Sequence, residues 1–192
     1  MIRRFAQRLG GVALSVALLA APCYAGNWVV DSAASSLTFT GKQADEAFKG
    51  GFKRFIAEIQ FDEAALATSH IQITIDMTSA TIDGPDRAEA LPTRDWFASA
   101  DFPHAEFTST AITKTGDHAF AAAGKITLRG MTKEITLPFT LTPVAGGKGK
   151  AIMAEGSVTL NRRDFSIGQG QWADDKWIAY PVVVSYRIRA AQ

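Results

Sequence analysis

Cysteine is almost absent from this chain: Cys23 is the only one in 192 residues. No disulfide can form within the chain, and a zinc site built on several thiolates is excluded. Histidine is scarce too. His70, His104 and His118 are the three present, and no two stand at the short spacing that metal-binding pairs show. Neither sign of charge dominates, with 20 Lys and Arg against 19 Asp and Glu, which argues against nucleic acid as a partner. Compact catalytic motifs are also lacking. There is no Gly-x-Ser-x-Gly elbow. Gly168-Gln169-Gly170 is too short for a phosphate-binding loop and opens no helix pattern. The adjacent acids Asp174 and Asp175 sit in a loop pattern, where carboxylates are normally solvated.

One uninterrupted apolar run exists, Leu9 to Ala21, too short to span a bilayer. Arg3, Arg4 and Arg8 precede it and Cys23-Tyr24-Ala25 follows, the order of a secretory leader cut after Ala25. A lipoprotein reading would lipidate Cys23, but Pro22 stands where that processing wants a small residue. The expectation is a cleaved signal peptide over residues 1–25, one domain over 26–192, and export to the periplasm. The leader holds three of the basic residues and no acidic one, so the mature chain carries a net charge of −2. Its 167 residues suffice to bury a core without disulfides.

What the chain does have is alternation. Trp28, Val30, Leu37 and Phe39 open a strand region at about 27–40, and Gly50-Gly51 reads as punctuation. Phe55, Ala57, Ile59 and Phe61 share a face; so do Ile71, Ile73, Ile75 and Met77. Later runs repeat the period of two: Ala105 to Ser109, Phe120 to Leu128, Ile135 to Leu141, Ile152 to Leu160, and about 176–190 with Ile178, Tyr180, Val182, Val184, Tyr186 and Ile188 on one side. Gly130 makes a tight turn and the Gly146–Gly149 tip a mobile hairpin end. Eight such runs with short connections predict an all-β, eight-stranded antiparallel barrel. Asp83-Gly84-Pro85 breaks the pattern, and 86–98 reads as a short helical insertion, limited by Pro92. Its Ala88, Leu91, Trp96 and Phe97 suit a plug or a lid at a barrel end. Pro138 and Pro181 fall within strand runs and predict bulges or a local opening.

The inward face mixes large residues with small ones, and parity alone leaves a solid core and a tunnel both open. If space exists, an apolar tail is the favoured guest. About ten methylenes at ~0.8 kcal/mol each supply on the order of 8 kcal/mol before association costs. Candidate interior or mouth positions are Phe39, Phe55, Ile73, Ile75, Trp96, Phe97, Phe107, Ile126, Leu128, Phe139, Val158, Tyr180 and Val182. Trp172 and Trp177 close a barrel end or guard its mouth. Arg162 and Asp164 share one face if the strand continues, and are read as a rim pair or a head-group contact.

Several stretches in order resemble one family. They are Trp28-Val29-Val30-Asp31 with Ser36-Leu37-Thr38-Phe39, Phe48-Lys49-Gly50-Gly51-Phe52, Asp95-Trp96-Phe97, Phe102-Pro103-His104-Ala105-Glu106-Phe107, Gly124 to Lys133, and Arg162-Arg163-Asp164-Phe165-Ser166-Ile167-Gly168. From Trp28 onward the chain resembles the YceI-like, lipid- and polyisoprenoid-binding proteins of bacterial envelopes. The resemblance implies a lipocalin-like barrel holding a polyisoprenoid, an isoprenoid quinone tail or a fatty-acid derivative, with no further cofactor. It also implies a periplasmic home and transient contact with the inner membrane or a membrane b-type cytochrome. Ser166 departs from the Gly that the family often has after Asp-Phe. The expectation is a non-enzymatic carrier. The alternatives are a stress-related structural or interaction protein with a filled core, and a lipid-modifying enzyme.

Overall fold

The computed structural model describes residues 26–144 and 150–192. The leader and the Gly146–Gly149 tip lie outside them. Eleven strand segments form one antiparallel sheet: β1 (Asn27–Val30), β2 (Ser36–Gln43), β3 (Glu46–Phe52), β4 (Phe55–Gln60), β5 (His70–Asp76), β6 (Ala80–Ile82), β7 (His104–Gly116), β8 (Ala119–Leu128), β9 (Met131–Pro143), β10 (Ala151–Asn161) and β11 (Pro181–Ala191). They amount to eight strands, because three are kinked. β1 and β2 are one strand broken at a 3₁₀ turn, β3 and β4 one strand broken at Lys53-Arg54, and β5 and β6 one strand broken at Met77–Ser79. Each of the eight pairs with its neighbours in sequence. β11 returns to the first, through β2 at Val184↔Phe39 and through β1 at Val30↔Ala190, and so closes the barrel. Closure pairs every strand on both sides except where β9 and β10 separate beyond Thr140↔Glu155.

Asp31 and Asp76 cause two of the kinks. The Asp31 carboxylate accepts from the Ala33 and Ala34 amides and the Asp76 carboxylate from that of Thr78, each capping a 3₁₀ turn. The insertion folds as α1 (Pro85–Ala90) followed by turns to Phe102. Pro85 occupies the first helical turn, where its missing donor is harmless.

Three sequence expectations need correction. Gly50 and Gly51 do not punctuate a strand but lie within β3; the Phe39 ring covers Gly50 where a side chain would stand, only 2.2 Å from an ideal Cβ. The last strand starts at Pro181, so Ile178 and Tyr180 precede it. β10 ends at Asn161, and Arg162–Phe165 forms a 3₁₀ turn capped by the Asn161 side chain, so Arg162 and Asp164 do not share a strand face. The prolines act as their chemistry requires. Pro181 takes the first position of its strand. At Pro138 the wall opens: β9 and β10 pair from Pro143↔Ile152 to Thr140↔Glu155 and no further.

The interior divides into two ends. In one, Phe61, Phe120 and Phe139 pack against each other, with centroids 5.2 Å apart for Phe61 and Phe120 and 5.5 Å for Phe120 and Phe139. Phe107, Ile112 and Ala122 complete this solid cluster. In the other, the buried side chains surround a hollow.

Candidate ligand cavity

The hollow has a volume of about 240 Å³. Its barrel walls are Leu37 and Phe39 of β2, Phe48 and Phe52 of β3, Ile75 of β5, Ile82 of β6, Ala105 of β7, Ile126 and Leu128 of β8, Leu160 of β10, and Val182 and Val184 of β11. These residues fall on one face because strands alternate, and each pair that meets in register, such as Val184↔Phe39, points the same way. Ala90 of α1, Leu91, Trp96 and Phe97 cover it from the insertion, and Phe165, Ile167, Trp172 and Ile178 from the loop before β11. The two covers meet through Trp96 and Trp172, ring centroids 6.0 Å apart. Of the lining residues only Gln43, Asp86, Arg87 and Arg162 are polar. Gln43 accepts a hydrogen bond from the Arg87 guanidinium at 3.0 Å, and Arg87 also pairs with Asp83. Asp86 is exposed and marks the mouth.

Arg162 is the chemical centre of the loop cover. It is only 3% exposed. Its Nε donates to the Ala179 carbonyl, one terminal nitrogen to Ile167 and Gly168, and the other to Asp174 and Ile178. All five N–H donors of the guanidinium are thus spent on backbone carbonyls. Tyr180 lies across its face at 5.3 Å, and the Trp96 ring at 6.0 Å. Burial lowers its pKa from the ordinary arginine value, yet the carbonyl oxygens give the charge a partial counter-field. Gly168 makes this possible: its φ is +76°, and an ideal Cβ there would lie 2.1 Å from a terminal Arg162 nitrogen.

Eight of the sequence-derived positions meet at this cavity: Phe39, Ile75, Trp96, Phe97, Ile126, Leu128, Val182 and Arg162. Ile73, Phe107 and Phe139 sit in the solid end instead. Phe55 borders an outer notch beside the short β1–β4 pairing. Val158, half-buried on β10, and Tyr180, clasped by Arg162 and Arg163, are not among the lining residues. Asp164 is exposed and forms no ion pair with Arg162. Of the two tryptophans expected at a barrel end, Trp172 lines the hollow, while Trp177 is 60% exposed. Phe48 and Phe52 were hidden in the sequence by the glycine pair between them. Phe165 and Ile167 lie outside any strand, where parity gives no signal, while Ile178 falls on the inner side that parity gave the last strand and lines the hollow from the loop before it.

An eight-stranded antiparallel barrel with one end solid and the other an apolar hollow defines a lipocalin-like barrel. Within that class the chain belongs to the YceI-like family: residues 28–190 match the YceI-like domain. Protein YceI of Escherichia coli O157:H7 is 36% identical over 122 residues, and that of Salmonella arizonae 34%. Each match covers 62% of this chain and 62% of the relative, so the matched region spans less than two thirds of the relatives' length. Among solved structures, Burkholderia cenocepacia BcnA superposes with a TM-score of 0.78 at 29% identity, over 84% of this chain and 99% of that one. A polyisoprenoid binding domain from Saccharophagus degradans, implicated in plant cell wall breakdown, shares the fold at a TM-score of 0.65 and 15% identity, over 85% and 97%.

Proposed function

We propose that this protein binds one apolar-tailed lipid in the barrel and carries or buffers it in the periplasm. The ligand class is a polyisoprenoid, an isoprenoid quinone or a fatty-acid derivative. The observation that carries the reading is the hollow itself, with an almost wholly apolar lining in a barrel whose opposite end is solid. Membership of the YceI-like family and the shared fold of the polyisoprenoid binding domain from Saccharophagus degradans support it. Each methylene of such a tail buried against this lining contributes about 0.8 kcal/mol before association costs. Exchange of the lipid with the inner membrane, or with a membrane b-type cytochrome, belongs to the same proposal. The alternative of a structural protein with a filled core is supported at the phenylalanine end only.

The test is native mass spectrometry of protein exported to the periplasm, before and after incubation with ubiquinone and with a polyprenol. Stoichiometric adducts, released as lipid in the organic extract, are the expected result. Protein that emerges empty and takes up neither compound would overturn the proposal.

A further inference from the structure

Three segments meet around Gln43 at the open end of the barrel. Gln43 is the last residue of β2 and bridges to Ile178 of the loop before β11. Beside it the Ala44 amide donates to the Trp177 carbonyl at 2.7 Å. The Arg87 guanidinium of α1 donates to the Gln43 side-chain oxygen at 3.0 Å.

The charge of these segments is one-sided. The β2–β3 hairpin supplies Asp45 and Glu46, the insertion Asp83, Asp86 and Glu89, and the loop Asp174 and Asp175, all exposed. Against them stand Lys42, Arg87 and Lys176. Asp83 pairs with Arg87, and among the described residues none of the other six carboxylates forms an ion pair. Arg162 lies behind this rim with its donors already spent on backbone carbonyls. Counting Arg162, and Lys49 on the outer side of β3, still leaves the carboxylates in excess.

Gln43 is the polar counterpart. A guanidinium only donates, so Gln43 must turn its oxygen to Arg87, which leaves its NH₂ group as a donor. That group has no partner among the described residues, and Gln43 lines the hollow. The phenylalanine cluster fills the far end of the barrel, so a guest enters tail first and its head stops at the mouth marked by Asp86.

We propose that this mouth is a head-group filter: Gln43 donates to an acceptor oxygen of an uncharged head, and the surrounding carboxylates turn anionic heads away. The inference rests on the lipid-binding reading above and deepens it. It selects a prenyl alcohol or quinone over a prenyl phosphate or a fatty-acid anion. The rim charges act across water, so their repulsion reaches about 10 Å at 0.1 M salt and shortens as salt is added.

Farnesol and farnesyl phosphate share one tail and differ in the charge of the head. In calorimetric titration of the exported protein at low salt, farnesol is expected to bind at least about tenfold more tightly. The gap should narrow as salt rises to ~1 M. Equal or tighter binding of farnesyl phosphate would overturn the filter, and a gap indifferent to salt would overturn the carboxylates as its cause. Absence of binding by both probes would instead overturn the lipid-binding reading beneath it. The double variant Asp86→Lys with Glu89→Lys changes two exposed positions and should narrow the gap severalfold; an unchanged gap again counts against the rim. Gln43→Glu keeps an oxygen for Arg87 and removes the donor. Farnesylacetone, whose carbonyl only accepts, is expected to bind that variant severalfold more weakly. Undiminished affinity would overturn Gln43 as the contact to the head.

Discussion

Replacing Arg162 with methionine keeps the length of the side chain and removes all five guanidinium hydrogen bonds to residues 167–179. Three of the five hydrogen bonds, to Ile167, Gly168 and Ile178, are buried, and those to Ala179 and Asp174 are partly buried. A buried acceptor left unsatisfied costs ~1–3 kcal/mol, so three carbonyls set a ceiling near 9. Relaxation of the loop toward water, and removal of the cost of burying a guanidinium, recover much of that. The net expectation is about 3 kcal/mol, a large fraction of the stability of an ordinary domain. The loss should be local, because the eight strands do not depend on this loop for their ladders. Hydrogen exchange is the assay. Amides of 167–179 in Arg162→Met are expected to exchange at least about a hundredfold faster, while those of β7 and β8 speed up only as far as global stability falls. Arg162→Lys should not rescue, since an ammonium has three donors and cannot reach five carbonyls spread around the edge of a planar group. Wild-type exchange in the loop of Arg162→Met would refute the assignment of Arg162 as its organiser.

Other perturbations separate the two ends of the barrel. Phe120 is 1% exposed, and Phe120→Ala should cost about 3–5 kcal/mol in urea unfolding while deepening the hollow toward the solid end; an unchanged midpoint would mean that this cluster is not load-sharing core. Ser166 holds φ at +54°, so Ser166→Gly should raise stability by up to ~1 kcal/mol, read from the shift in Tm. Hydrogen bonds from the Thr78 side chain, then from Arg54, bring the Asp76 pKa down from 3.8 to about 2. The folded value lies below the unfolded one, so the stabilisation is present above pH 3.8 and is lost as pH falls toward 2. Asp76→Asn should therefore flatten the urea midpoint over that acid range; an identical slope in the variant would exclude Asp76 as its source.

The strands were legible because β-sheet alternation is a local property and the hydrophobic face is written every second residue. The kinks were less so: Asp31 and Asp76 act through side-chain capping, a signal two or three residues long that period-two counting passes over. The cavity lining was legible only on strands. Arg162 shows the limit. Read as strand it should pair with Asp164, but the Asn161 cap turns the chain, and the guanidinium meets carbonyls as far along as Ala179 that no spacing rule connects to it. Ser166 could be singled out by its departure from a glycine pattern, and its left-handed backbone is the physical content of that departure.

Parity also left open whether the barrel is filled or hollow, and the structure shows why neither answer alone holds. Phe120↔Phe139 on β8 and β9 are directly opposite in register, so two large rings meet and, with Phe61, fill the section. About eight residues along β8 from Phe120, at the level of Leu128, Ala105 of β7 stands opposite Ile75, and on β11 Val182 stands opposite Leu160, so no ring is supplied from those strands. Three of the aromatic residues that line that section, Phe39 and Phe52 of the wall and Phe97 of the cover, pack on one another with centroids 5.5–6.2 Å apart. Whether a section of the barrel is solid is decided by which strands place their large residues at the same height, a relation between distant parts of the chain. Exchanging the sizes should therefore exchange the states. Ala105→Phe is expected to fill the hollow and abolish octanol uptake with the fold retained by circular dichroism; octanol binding at wild-type affinity in that variant would mean that the guest sits outside this section.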